Sequence, residues 1–151
     1  MNGITIAHAD PAKLEEYKAV FDNSTLIKHY GETLYGWIEK ALSANEAFAA
    51  TTPSGEVAGY ISIKMDGMFG MPDVTLLGVK DNFRGKGVGR ELLQFYIAVA
   101  TCLGYHELGI VVNDFNPRAR KLYDSMGFKP RKTMDCPYGL GGLCHLLVKK
   151  V

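Results

Sequence analysis

The chain has 151 residues, of which 47% are hydrophobic and 22% charged, and its net charge is +1. That length suits one domain with a single good core, and residues 1–151 read as one domain. The composition argues against a disordered chain; no apolar run approaches the roughly 20 residues of a membrane span, and a charge balance this close to neutral argues against a nucleic-acid surface.

Residues 4–8 alternate and predict a first strand. Asp10-Pro11 is a helix N-cap followed by proline at the first helical position, and the helix continues through Leu14, Tyr17, Val20 and Phe21. A second helical region covers 25–42, with a break expected near Gly31. Residues 48–52 and 57–65, joined by Pro53-Ser54-Gly55, predict a hairpin. A loop over 66–72 leads into a central strand at 74–79. Apolar residues at 88, 92, 95, 96, 99 and 103 have a helical period, which Gly104 ends. A buried strand is expected at 107–112 and a helix from Asn116-Pro117 to Gly127. Strands at 128–135 and 143–149 close the chain.

The segment at the end of the central strand is the most informative. Leu77-Gly78-Val79 runs through a short polar link into Arg84-Gly85-Lys86-Gly87-Val88-Gly89-Arg90 and then into the helix. A strand that feeds a glycine loop at a helix start is a phosphate cradle, because backbone N–H groups converge there and the helix dipole adds about half a positive charge. Gly85, Gly87 and Gly89 let a phosphate approach the backbone. A Walker loop needs Ser or Thr after its lysine, and Lys86 is followed by Gly87. A dinucleotide fingerprint needs a third glycine where Arg90 stands, and an acidic residue closing the next strand, which is missing.

The remaining pattern, R-x-x-G-x-G over Arg84–Gly89, resembles the acyl-CoA pyrophosphate loop of the GNAT acetyltransferase superfamily. Downstream, the run from Asn116 through Leu122-Tyr123 to Gly127-Phe128 resembles that family's N-x-x-A-x-x-L-Y-x-x-x-G-F helix. The resemblance is strongest over 74–130 and implies a GNAT-type α/β (α+β) fold. Its sheet would be mixed, mostly antiparallel and splayed at the centre, with helices on both faces. It further implies direct transfer of an acetyl group from acetyl-CoA, the acyl-donor co-substrate, to an amine acceptor. A sensor of the same fold that binds acyl-CoA without turnover is the alternative.

On that resemblance the pyrophosphate rests on the backbone of Arg84, Gly85, Lys86, Gly87, Val88 and Gly89, with Arg84, Lys86 and Arg90 adding charge. The pantetheine lies along Leu77, Gly78 and Val79, one of whose N–H groups holds the developing oxyanion. Gly78 reads as a bulge or a weakened strand. Asn116 is a helix N-cap that also faces the pantetheine. Tyr123 is a hydrogen-bond donor or general acid at the sulfur, or else a core tyrosine. Asp73 occupies the register of a glutamate general base in histone-acetylating members. An ordinary aspartate near pKa 3.9 is far too weak for that role, so Asp73 is either a buried base or a solvent-edge carboxylate.

The charge is unevenly distributed. Residues 84–132 carry nine Lys/Arg against four Asp/Glu, and residues 1–83 carry six against eleven. The basic part holds the glycine loop, as an anionic ligand requires, and the acidic part suits a cationic acceptor. The four histidines have no metal spacing, so no metal site is expected. Cys102, Cys136 and Cys144 form no C-x-x-C and read as small hydrophobes in a reduced, cytoplasmic protein without a signal peptide. The acceptor region is expected at 23–37, 68–71 and 134–142, rich in Phe, Tyr, Trp and Met. The same residues suit a homodimer interface.

Overall fold

The computed structural model describes residues 3–136 and 142–151. Its elements follow in the order β1 (Thr5–His8), a 3-10 turn (Pro11–Lys13), α1 (Leu14–Val20), α2 (Thr25–Tyr30), α3 (Thr33–Ser43), β2 (Ala47–Thr51) and β3 (Val57–Lys64). After these come β4 (Asp73–Val79), a 3-10 turn (Asp81–Phe83), α4 (Val88–Cys102), β5 (Glu107–Asn113), α5 (Pro117–Ser125), β6 (Lys129–Asp135) and β7 (Leu143–Lys150). The strands neighbour one another in the order β1-β2-β3-β4-β5-β7-β6, mostly antiparallel, with β4 and β5 parallel. The mixed α/β architecture expected from the sequence is the one observed. The chain forms two compact units: one takes everything up to Ile63 together with Leu76–Tyr96, the other Lys64–Thr75 and Ile97–Val151.

In the first unit the helix starts follow local chemistry. Asp10 accepts a hydrogen bond from the Ala12 N–H at 3.0 Å, with Pro11 behind it, and Ser24 accepts one from the Ile27 N–H at 3.1 Å. The helical region over 25–42 breaks at Gly31, whose φ of 58° no β-branched residue would adopt readily. Tyr17, Val20 and Phe21 are buried beside Leu34 and Ile38 of α3 and almost the whole of β3. Phe21 and Tyr60 meet edge to face at 5.9 Å.

The Phe21 ring also explains Gly78 on β4. A Cβ at Gly78 would lie 2.4 Å from Phe21 Cε1 and 2.7 Å from its Cζ. The glycine has a packing reason, the close approach of a fully buried ring, that neither reading of the sequence contained. Overpacking of this kind destabilises by about 1–3 kcal/mol. Gly78→Ala is therefore expected to lower the urea midpoint with the m-value unchanged, and an unchanged midpoint would mean that the ring moves aside freely.

In the second unit β4 and β5 are in parallel register at Asp73–Gly109 and Val74–Ile110. β5 pairs with β7 from Glu107–Lys150 to Asn113–Cys144, and β7 pairs with β6. The register of β6 shifts by one residue between Pro130 and Lys132, so Arg131 is the extra residue of a β-bulge. Leu108, Ile110, Phe128 and Leu147 form the centre of this core. Asn116 caps α5, and Gly127, with a φ of 92°, ends it. Among the described residues no helix is long and apolar enough to cross a membrane.

Candidate active site

The glycine loop belongs to the first unit. β4 ends at Val79 and passes through the Asp81–Phe83 3-10 turn, which the sequence reading took as a plain polar link. Gly85 and Gly87 have φ values of 77° and 85°, in the region where a side chain is strained. A Cβ at Gly85 would meet nothing within 4 Å, so conformation, not crowding within the chain, calls for glycine there. The helical ladder of α4 begins with the Glu91 N–H donating to the Gly87 carbonyl at 3.0 Å. The first amides of a helix have no carbonyl partner within it.

The cations around this loop are not equivalent. The Arg84 guanidinium donates from Nε to the Val79 carbonyl at 3.2 Å and pairs through Nη1 with Asp81 at 2.8 Å. Arg84 thus braces the turn and takes up one carbonyl of the β4 segment Leu77-Gly78-Val79, whose three residues are half-buried. Lys86 lies over the Phe83 ring at 5.7 Å, and Arg90 is exposed on the first turn of α4. Val88 is buried against Gly59, where a Cβ would come within 3.0 Å of it. Only the backbone of Val88 is left to offer a ligand, and Gly89 already lies within α4.

Asp73, Tyr123 and Asn116 lie in the second unit. The loop before β4 folds tightly over Asp73. The Gly67 N–H donates to the Met71 carbonyl and the Gly70 N–H to the Gly67 carbonyl, both at 3.1 Å. A Cβ at Gly67 would stand 2.8 Å from Asp73 Cβ. Asp73 is consequently only 6% exposed, and its Oδ1 has no hydrogen-bond partner among the described residues. Burial pushes its pKa up to about 7, with a partial offset from the Val74 N–H. Asp73 is not a carboxylate at a solvent edge.

Tyr123 is buried on α5, with its ring 6.5 Å from that of Phe128. Burial first, and the nearby Asp73 charge second, raise its pKa above the ordinary phenol value. Such a phenol keeps its proton. Asn116 Oδ1 accepts from the Ala119 N–H at 3.3 Å, so the capping role is filled.

Two side-chain clusters in this unit escaped the sequence reading. Cys136 and Cys144 both donate to Asn113 Oδ1, at 3.2 and 2.7 Å. Burial, then Cys136, push the Cys144 thiol up to about 12, which makes it a poor nucleophile. His145 lies between Asp114 on Nε2 and Thr133 Oγ1, 3.0 Å from Nδ1. Both clusters depend on cross-strand register, which residue spacing does not reveal. Among the described residues no three His, Cys, Asp or Glu side chains group to hold a metal. Of the acceptor region expected at 134–142, residues 137–141 lie outside those described.

The profile of the Acetyltransferase (GNAT) family matches residues 13–128 of this chain. The chain belongs to the GNAT acetyltransferase family. Among GNAT relatives it is 36% identical over 100 residues to an uncharacterised N-acetyltransferase of Methanocaldococcus jannaschii, across 64% of this chain and 61% of that one. It is 32% identical over 77 residues to a mycothiol acetyltransferase of Jonesia denitrificans, across 51% of this chain and 24% of the relative. The alignments thus span about three fifths and one quarter of these relatives' lengths. The GNAT fold is shared with Ard1 from Thermoplasma volcanium at a TM-score of 0.78 and 19% identity, over 99% of this chain and 98% of that one.

Proposed function

We propose that this GNAT acetyltransferase moves the acetyl group of acetyl-CoA directly to the nitrogen of an amine, with Asp73 as general base and Tyr123 as hydrogen-bond donor to the leaving sulfur. The observation that carries the reading is the buried carboxyl of Asp73, whose pKa lies near 7 beside a phenol held neutral. An alkylammonium near pKa 10.4 must lose a proton before it can attack. Transfer to an ordinary carboxylate near 3.9 is uphill by roughly 9 kcal/mol, and to a group near 7 by roughly 4.6. Burial of Asp73 therefore removes about half of that barrier, which a sensor without turnover has no need to do.

In this mechanism the loop amides of residues 85–90 hold the pyrophosphate, with Arg84, Lys86 and Arg90 adding positive charge. A backbone N–H in Leu77-Gly78-Val79 receives the oxyanion as the amine nitrogen bonds to the carbonyl carbon. Asp73 takes the amine proton. Tyr123 donates to the sulfur as the C–S bond breaks, and the Asn116 amide nitrogen, opposite its capping oxygen, donates to the pantetheine. The products are an amide and free CoA thiol.

The test is release of free thiol from acetyl-CoA over a panel of amines, amino acids, polyamines, aminoglycosides and lysine peptides, with acetyl-CoA binding followed by calorimetry. Binding together with thiol release on any amine supports the transferase. Binding without release across the panel moves the reading to an acyl-CoA sensor, and absence of binding overturns it.

A further inference from the structure

The bulge in β6 has a consequence for the acceptor. With regular alternation after Pro130, which pairs with Leu147, Arg131 would stand opposite Leu146. The extra residue puts Lys132 there instead. Leu146 pairs with Val111, two residues along β5 from Gly109, and Gly109 is in register with Asp73. Lys132 therefore emerges on the same face of the second unit as Asp73. Its ammonium lies 6.0 Å from the centroid of the Phe69 ring. Phe69 sits in the tight turn whose Gly67 abuts Asp73.

Arg131 pairs with Glu107 and Arg120 with Asp124, whereas Lys132 forms no ion pair among the described residues. A desolvated base for an ammonium, with a separate cation from β6 set over Phe69 of the turn that covers that base and unpaired among the described residues, matches one kind of acceptor. Bulges are a recurrent means of re-aiming a side chain beside a site.

We propose that Lys132, seated on Phe69, is a specificity-determining residue that recognises a carboxylate carried by a small amine acceptor, so that the acceptor is an amino acid or an amine built like one. This rests on the transferase reading with Asp73 as base. The lysine repels polyamines and other acceptors with a second positive charge, and attracts an acceptor that pairs its reacting nitrogen with a negative group.

The test uses matched acceptors that differ in the carboxylate alone: phenylalanine and phenethylamine, tyrosine and tyramine, methionine and 3-(methylthio)propylamine. Thiol release from acetyl-CoA is followed for the native chain, Lys132→Gln and Lys132→Glu. The native chain is expected to favour the amino acid of each pair at least tenfold in kcat/KM. Lys132→Gln should remove that preference through KM with kcat within about twofold, a split that a merely structural role does not produce, and Lys132→Glu should reverse it. Equal use of both members, a preference for the decarboxylated member, or a ratio that Lys132→Glu leaves in place would overturn the proposal while the transferase reading stands. Silence on every pair with acetyl-CoA still bound would overturn it as well. Loss of acetyl-CoA binding in the native chain would instead strike the transferase reading beneath it.

Discussion

Asp73→Asn should lower kcat by about a hundredfold or more, the usual range for removal of a general base, and at the same time make the protein more stable above neutral pH. Both effects come from the same buried carboxyl. In the folded chain its pKa is about 7 against an ordinary value of 3.8, so between those values the folded state holds a proton that the unfolded state has released. Stability then falls as pH rises from about 4 to about 7, by up to roughly 4 kcal/mol at 1.36 kcal/mol per unit. Asparagine keeps the shape and carries no charge to desolvate. Urea unfolding should show the variant and the native chain similar near pH 4 and the variant ahead by about 2–4 kcal/mol at pH 8. The native kcat/KM should rise through a limb near pH 7 that the variant lacks. A variant equally active and no more stable would remove Asp73 from the mechanism and from the buried ionised state together.

Tyr123→Phe should reduce kcat at least tenfold and leave acetyl-CoA affinity within about twofold, because a hydrogen bond to a charged partner is worth about 1.5–3 kcal/mol and this one forms fully only as the thiolate emerges. Within the proposed mechanism the raised phenol pKa favours hydrogen-bond donation over full proton transfer. The buried ring and the neighbouring carboxylate both hold that proton in place, so full transfer to a thiolate of ordinary pKa near 8.5 is uphill. Donation without transfer predicts that kcat on the alkaline side shows no limb from Tyr123. Single-turnover kinetics with acetyl-CoA bound in excess measures the chemical step directly, and a native-like rate there would return Tyr123 to the core.

The parts of this chain that were legible in the sequence are those whose cause is local. The glycine turn before α4, the helix start at Asn116-Pro117 and the apolar period from Val88 that marks α4 stand where they were read, and the structure adds the positive φ of Gly85 and Gly87. What was not legible depends on partners distant in the chain. Gly78 is explained by Phe21, which reaches it from α1's end. Asp73 becomes buried because the Gly67 turn folds back on it, and nothing in the run Asp66–Pro72 says which way that turn will lie. Lys132 changes faces through a single inserted residue in β6, which alternation counts miss. Arg84–Asp81 is the exception, a local pair at three-residue spacing that brought Arg84 back to its own strand end.

The two thiols tied to Asn113 leave the third in a different position. Cys136 and Cys144 are buried and share one amide oxygen, while Cys102 is exposed at the end of α4. Thiol reagents attack exposed thiolates in preference to buried thiols. The wild-type sequence therefore presents one address for a maleimide fluorophore or a spin label, with no cysteine to remove beforehand. A probe placed there reads motion at the end of α4 in a chain whose site residues are all native.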